Sequence, residues 1–294
     1  MAARFRLRAA RCLLICLGCG TVTCSATELH FRLQSREVLE SHLKSFSDKN
    51  SDREARIKQW LSESGCQDGD LTEQALDRKA PPNVICILPG ETAEVIVVGA
   101  HTDKVESYGD GVVDNWTGAV LLPALLYSLN SRPRHHTIIF VGFSAEEKGL
   151  VGSRFYADHL SPQERARIEA MVNFDSLGVS PTKVWASHAD KPLLNALIAT
   201  SSFARLPISA VNVEGVGSTD SESFAPYHIP RITIHSITQD TFPILHSVRD
   251  KLTAINFNDY YDSYRLIAEY LAYLDGMLTP PAPAATAEKA KTAN

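Results

Sequence analysis

Apolar residues recur along this chain in two different periods. Between residues 28 and 64 they stand at helical spacing in a polar background: Val38, Leu39, Leu43 and Phe46, then Ile57, Trp60 and Leu61. That spacing predicts two amphipathic helices. Short β-branched runs follow at 95–98, 138–143, 170–174 and 232–234. Helix-like stretches alternate with them at 119–129, from 155–159 onward, at 193–203 and at 260–274. Apolar runs alternating with helices predict βαβ units, hence an α/β fold. Its central sheet is expected to be mostly parallel or mixed, with helices on both faces. No internal repeat or second domain is visible, and one domain over 27–278 explains the pattern.

The two ends read differently. Residues 1–26 hold Arg4, Arg6, Arg8 and Arg11, then an apolar run from Cys12 to Leu17, then small residues. That is the layout of a secretory signal peptide, and the run is well short of the ~20 residues that span a bilayer. The expectation is export to the periplasm or medium, with two exits from the leader: cleavage near Ala26, or a lipid anchor at Cys19. Residues 279–294 (TPPAPAATAEKAKTAN) offer nothing to pack and are expected to be a disordered tail.

Composition narrows the partners. The formal net charge is −5, and it becomes more negative once the arginine-rich leader is set aside. An acidic chain without a basic block is a poor match for nucleic acid or an anionic membrane surface. Of six cysteines, only Cys66 and Cys86 lie beyond the leader. In an oxidising compartment they can pair, and Cys86, inside the apolar run 84–88, also reads as a small core residue.

Polar residues at the ends of the apolar runs carry the chemistry, because open α/β sheets gather ligands at the carboxyl ends of their strands. His101-Thr102-Asp103 follows the first run, Glu146-Glu147 the second, Asp175 the third and His235 the fourth, with His246 a short loop later. Asp110 and Asp114 lie in the loop YGDGVVDNWTG. Imidazole and carboxylate together are the usual non-sulfur ligands of zinc, whereas carboxylates alone suit calcium or magnesium. Adjacent carboxylates such as Glu146 and Glu147 repel unless a cation compensates. His135 and His136, between Pro133 and a strand, read as solvated.

Taken together, GAHTD, GVVDNWTG, FSAEEKGLVGS, NFDS and LHSVRDK resemble the signature blocks of the bacterial leucyl aminopeptidase family of dinuclear zinc exopeptidases, over roughly residues 94–275. Glutamate carboxypeptidase and glutaminyl cyclase share that family's fold. The resemblance implies two zinc ions per chain. His101 and Asp175 would bind one and Glu147 and His246 the other, Asp114 would bridge them, and Glu146 would be the general base. It prefers Asp114 to Asp110 and His246 to His235, and it implies a cis peptide between Asp114 and Asn115. Asp103, two residues past His101, is placed to receive that ligand's other ring N–H.

One block departs from the family. Thr219-Asp220-Ser221 stands where many relatives have Ser-Asp-His, and the stretch Gly215-Val216-Gly217 lacks the tyrosine that some use on the oxyanion. Tyr227 and Tyr108 are the substitutes considered. Removal of N-terminal residues from peptides is the function implied. A single-zinc glutaminyl cyclase, a carboxypeptidase or dipeptidase, and a non-catalytic binding module on the same fold are the alternatives. The residues carry no signal for oligomeric state or for side-chain preference at the cleaved position.

Overall fold

The computed structural model describes residues 29–76, 80–214 and 217–278. The expected leader, the anchor at Cys19 and the tail at 279–294 lie outside them. The chain opens with α1 (Arg36–Lys44) and α2 (Asn50–Glu63), the two expected amphipathic helices. Ser35 caps α1 by accepting from the Val38 amide. Then come β1 (Leu71–Gln74), β2 (Asn83–Leu88), β3 (Val95–His101), α3 (Thr117–Leu129), β4 (Thr137–Phe143), α4 (Val151–His159), α5 (Pro162–Arg167) and β5 (Ile168–Phe174). The rest are β6 (Lys183–Val184), α6 (Lys191–Ala204), β7 (Ser209–Ala210), β8 (Arg231–His235) and α7 (Phe257–Met277).

Eight strands form one mixed sheet in the order β1-β2-β4-β3-β5-β8-β6-β7. The central run β4-β3-β5-β8 is parallel, while β1 and β2 at one edge and the β6–β8 pair toward the other are antiparallel. Side-chain alternation splits the core in two. Ile96, Val98 and Ala100 of β3 face the larger core, which also holds the buried side of α1, α2, α3, α6 and α7. Val97, Val141, Phe143 and Met171 face the smaller core beneath Tyr156 and Ala157 of α4 and Phe224. Gly99 belongs to that second face because Phe143 fills its place: a Cβ there would stand 2.4 Å from the phenyl ring. Cys86 is fully buried and is also disulfide-bonded to Cys66, so both readings of it hold.

His136 corrects an expectation. It is fully buried rather than solvated: its Nδ1 is 3.2 Å from Asp275 and its Nε2 is 3.1 Å from Glu169. Arg134 approaches the same Asp275 at 3.9 Å. The cluster staples the end of α7 to the start of β4 and β5. Although burial opposes it, the two carboxylates hold the His136 pKa above its ordinary value. A raised imidazole pKa contributes stability that is complete below about pH 6.5 and lost as pH rises through the folded value. His136→Gln removes the cation shared by Glu169 and Asp275 from a buried site and is expected to lower stability by about 3 kcal/mol near pH 6. The loss should be smaller at pH 9, and denaturant titrations at the two pH values would show a constant loss if the cluster is inert.

Candidate metal centre

The parallel strands all deliver their carboxyl ends to one edge of the sheet, and the polar residues that follow them converge there. His101 ends β3, Asp175 follows β5, and Glu146 and Glu147 form a 3-10 turn just after β4. His246 comes from the segment between β8 and α7. Asp114 lies in an irregular turn before α3, with non-helical backbone at Asp114 and Asn115, and the bond between them is cis, as the resemblance implies. Positive-φ residues mark the same place: Ala145 precedes Glu146, Ser176 follows Asp175, and His246 is itself at φ 51°. Left-handed non-glycine backbone is costly and tends to collect where side chains must be aimed.

Asp114 sits at the centre of the cluster. Its Oδ1 is 3.1 Å from Nε2 of His101, and its Oδ2 is 3.2 Å from Nε2 of His246. Asp175 reaches the same His101 nitrogen at 3.7 Å, and Glu147 reaches His246 at 2.9 Å. Two ligand sets result, His101–Asp114–Asp175 and Asp114–Glu147–His246, each with its donor atoms within 4.8 Å of one another. They share Asp114. Glu146 joins a third set with His101 and Glu147. Asp110 and His235 are in none of these sets.

The donors fit a divalent cation better than they fit each other. His101 Nε2 is buried and makes no hydrogen bond despite its close carboxylates, and Glu147 Oε1 is similarly orphaned. Atoms that approach at 3 Å without hydrogen-bond alignment behave as if aimed at a common partner. Ligands ~2.1 Å from a tetrahedral zinc stand roughly 3.4 Å apart, which matches the separations here.

The charges of the cluster are strongly displaced. Burial, then Asp220, Asp175 and Asp114 against the opposing pull of His101, push Glu146 well above the usual carboxylate range. Burial and the Asp114 charge raise Glu147 despite its bond to His246. Bonds to Asp114 and Glu147 push His246 up to about 10. Burial opposes the charge of Asp114, but the close imidazoles of His101 and His246 prevail and hold it below the ordinary value. A cation would relieve this crowding of acids and release the imidazole protons.

Neighbours hold the ligands in place. The Asp103 carboxylate accepts the backbone N–H of Glu146 at 3.0 Å and of Glu147 at 3.3 Å. His101 Nδ1 lies closer to the Asp103 carbonyl, at 3.2 Å, than to its carboxylate, at 3.6 Å. Asp103 therefore aims the Glu-Glu turn as well as standing behind the imidazole. Asp250, the acid of the LHSVRD block, accepts from the amides of Val113 and Asp114. Asn115 donates to the Phe174 carbonyl and accepts from Gly118 and Ser176, which ties the Asp114 loop to the end of β5. A Cβ on Gly118 would stand 2.5 Å from that Asn115 oxygen. Arg53 of α2 is wholly buried and donates to the carbonyls of Thr102, Asp110 and Gly111.

The departing block also finds its place. The Thr219 hydroxyl donates to Asp175 at 2.9 Å, and Asp220 is fully buried with both oxygens lacking a hydrogen-bond partner among the described residues. Burial pushes Asp220 up to about 7. His235 is excluded as a ligand by its own bonds: Nε2–H donates to the Val211 carbonyl, and Nδ1 accepts from Ile237. Burial pushes it down to about 4, so it is neutral. Neither tyrosine considered for the oxyanion is at the site. Tyr227 donates to Asp158 in the last turn of α4, and Tyr108 is 58% exposed; neither lines the cavity. That cavity, about 460 Å³, is lined by Asp114, Glu146, Glu147, Asp175 and His246 of the cluster and by the apolar side chains of Trp185, Val213, Ile237, Phe242 and Leu245.

Residues 83–271, which contain every residue of the cluster, match Peptidase family M28. The chain belongs to this family. Its relatives include Aminopeptidase YwaD of Bacillus subtilis (strain 168), 30% identical over 186 residues, which are 55% of this chain and 40% of that one. The chain spans two fifths or less of the length of the curated relatives it matches. Among solved structures, the LapA aminopeptidase of Legionella pneumophila superposes with a TM-score of 0.66 at 20% identity, over 87% of this M28 chain and 82% of that one. A glutaminyl cyclase of Porphyromonas gingivalis superposes with a TM-score of 0.65 at 16% identity, over 83% and 98%. The fold is thus common to both enzyme types, and the side chains must choose between them.

Proposed function

We propose that this M28 chain is an aminopeptidase that uses two zinc ions to hydrolyse the first peptide bond of its substrates. The observation that carries this reading is the pair of ligand sets sharing Asp114. His101 and Asp175 would hold one ion, Glu147 and His246 the other, with Asp114 common to both. Bound there, the ions would polarise the scissile carbonyl and make the attacking water more acidic. Glu146 takes a proton from that water and returns it to the leaving nitrogen. Its raised pKa suits the second half of that task. The apolar residues that line the cavity, Trp185, Val213, Ile237, Phe242 and Leu245, suit an apolar side chain on the residue removed.

A panel of amino-acid anilides and their N-acetyl counterparts, with and without a chelator, tests the reading. Turnover of free-amine substrates only, abolished by chelation, is the expected result. Turnover of acetylated substrates would point to the carboxypeptidase alternative. One zinc per chain together with pyroglutamate formed from an N-terminal Gln peptide would establish the cyclase. A binding module is disfavoured because every expected ligand position is filled.

Export belongs to the same proposal. The leader-like residues 1–26 and the Cys66–Cys86 disulfide support an oxidising compartment. N-terminal analysis of the protein from its source should find a start near residue 27 or an acylated Cys19. An intact leader on cytoplasmic protein would overturn it.

A further inference from the structure

Among the described residues lining the cavity, one permanent cation is present, Arg154 of α4. It is exposed, and it forms no ion pair with a described residue although Asp114, Glu146, Glu147 and Asp175 line the same cavity. Three other cations are engaged elsewhere. Lys148 pairs with Glu106, Arg165 covers the Tyr227 ring, and Arg231 pairs with Glu222. A free guanidinium in an acid-lined cavity is a ready partner for an incoming anion.

Its position relative to Glu146 says which part of a substrate it meets. Glu146 gives a proton to the leaving nitrogen, so the leaving fragment must lie on the Glu146 side of the cavity. From Glu146 the chain runs through Gly149 and Leu150, both lining the cavity, into the first turn of α4 where Arg154 stands. The apolar lining residues Trp185, Val213, Ile237, Phe242 and Leu245 come from other segments of the chain and suit the residue that is removed. In a dipeptide, the terminal carboxylate is only two bonds beyond the leaving nitrogen, within the span of an arginine side chain.

We propose that Arg154 selects substrates whose second residue bears a carboxylate, by pairing with it as the leaving fragment docks. The proposal rests on the aminopeptidase reading. Guanidinium and carboxylate form two parallel charge-assisted hydrogen bonds, which no other residue lining this side of the cavity offers. The carboxylate has two sources: the free C-terminus of a dipeptide, or an Asp or Glu side chain at the second position of a longer peptide.

The test compares two substrate pairs on the zinc-loaded full chain and on Arg154→Gln: Leu-Gly against Leu-Gly amide, and Leu-Asp amide against Leu-Asn amide. In the wild type, at least one pair should favour the carboxylate form by about tenfold in kcat/KM. In Arg154→Gln that ratio should fall to near one, and Arg154→Lys should restore part of it. A fall in the first pair assigns the C-terminal carboxylate, and a fall in the second assigns the acidic side chain. Equal ratios in wild type and variant, or no preference in the wild type, overturn the proposal. Failure of the wild type on every free-amine substrate would instead sink the aminopeptidase reading.

Discussion

Glu146→Gln is expected to lose roughly a thousandfold in turnover while keeping its full zinc content. The amide has the shape of the carboxyl, so the turn held by Asp103 should persist. It cannot accept a proton from water or pass one to a leaving nitrogen. Positioned acid–base groups contribute between about 100- and 10,000-fold, and in the proposed mechanism Glu146 would perform both halves of the transfer, so at least the middle of that range is expected. A thousandfold is about 4 kcal/mol of transition-state stabilisation. Glu146 also belongs to a possible ligand set with His101 and Glu147, and the variant separates the two roles. Metal analysis beside steady-state kinetics decides: loss of zinc in Glu146→Gln would make it a ligand, and turnover within tenfold of wild type would remove it from the chemistry. Glu147→Ala should show the complementary pattern, with activity lost together with the zinc of one position.

Legibility in the sequence followed the range of the forces involved. His101, Glu146, Glu147 and Asp175 each stand within a few residues of an apolar run, so strand periodicity alone brought them to one edge. Asp114 and His246 lie in irregular segments, where periodicity is silent and only the resemblance separated them from Asp110 and His235. The structure supplies the physical reason in the second case, since both nitrogens of His235 are used by backbone groups. Asp103 was legible as a neighbour of His101, but not as the acceptor for the Glu146 and Glu147 amides 43 and 44 residues away.

Residues whose partners lie far along the chain escaped. Asp250 holds the Val113 amide across 137 residues, and His136 meets Asp275 across 139. Arg53 looks like the solvent face of an amphipathic helix until the Asp114 loop is folded over it. Its guanidinium is enclosed, with carbonyls as its direct partners, and the charges of Asp103 and Asp250 help to offset its burial. The outermost two strands beyond β8, β6 and β7, have two residues each, too short for any period to register.

Asp114→Ala is expected to empty both metal positions, whereas Asp175→Ala and Glu147→Ala should each empty one. The asymmetry follows from geometry. One oxygen of Asp114 faces His101 and the other faces His246, so a single carboxylate serves both ligand sets. Asp175 reaches only the His101 side, and Glu147 reaches His246. Even partners outside the ligand sphere are worth about 10- to 100-fold in metal affinity. Losing a shared ligand should therefore cost each position more than about 100-fold. It also removes the anion that lets two cations sit side by side, so whichever ion remained would no longer favour its neighbour. Zinc per chain, measured after dialysis at low free zinc, should fall close to zero for Asp114→Ala and to about half the wild-type value for the other two. Circular dichroism on the same samples separates loss of metal from loss of fold. If Asp114→Ala kept as much zinc as Asp175→Ala, Asp114 would belong to one site alone and the bridged centre would be wrong.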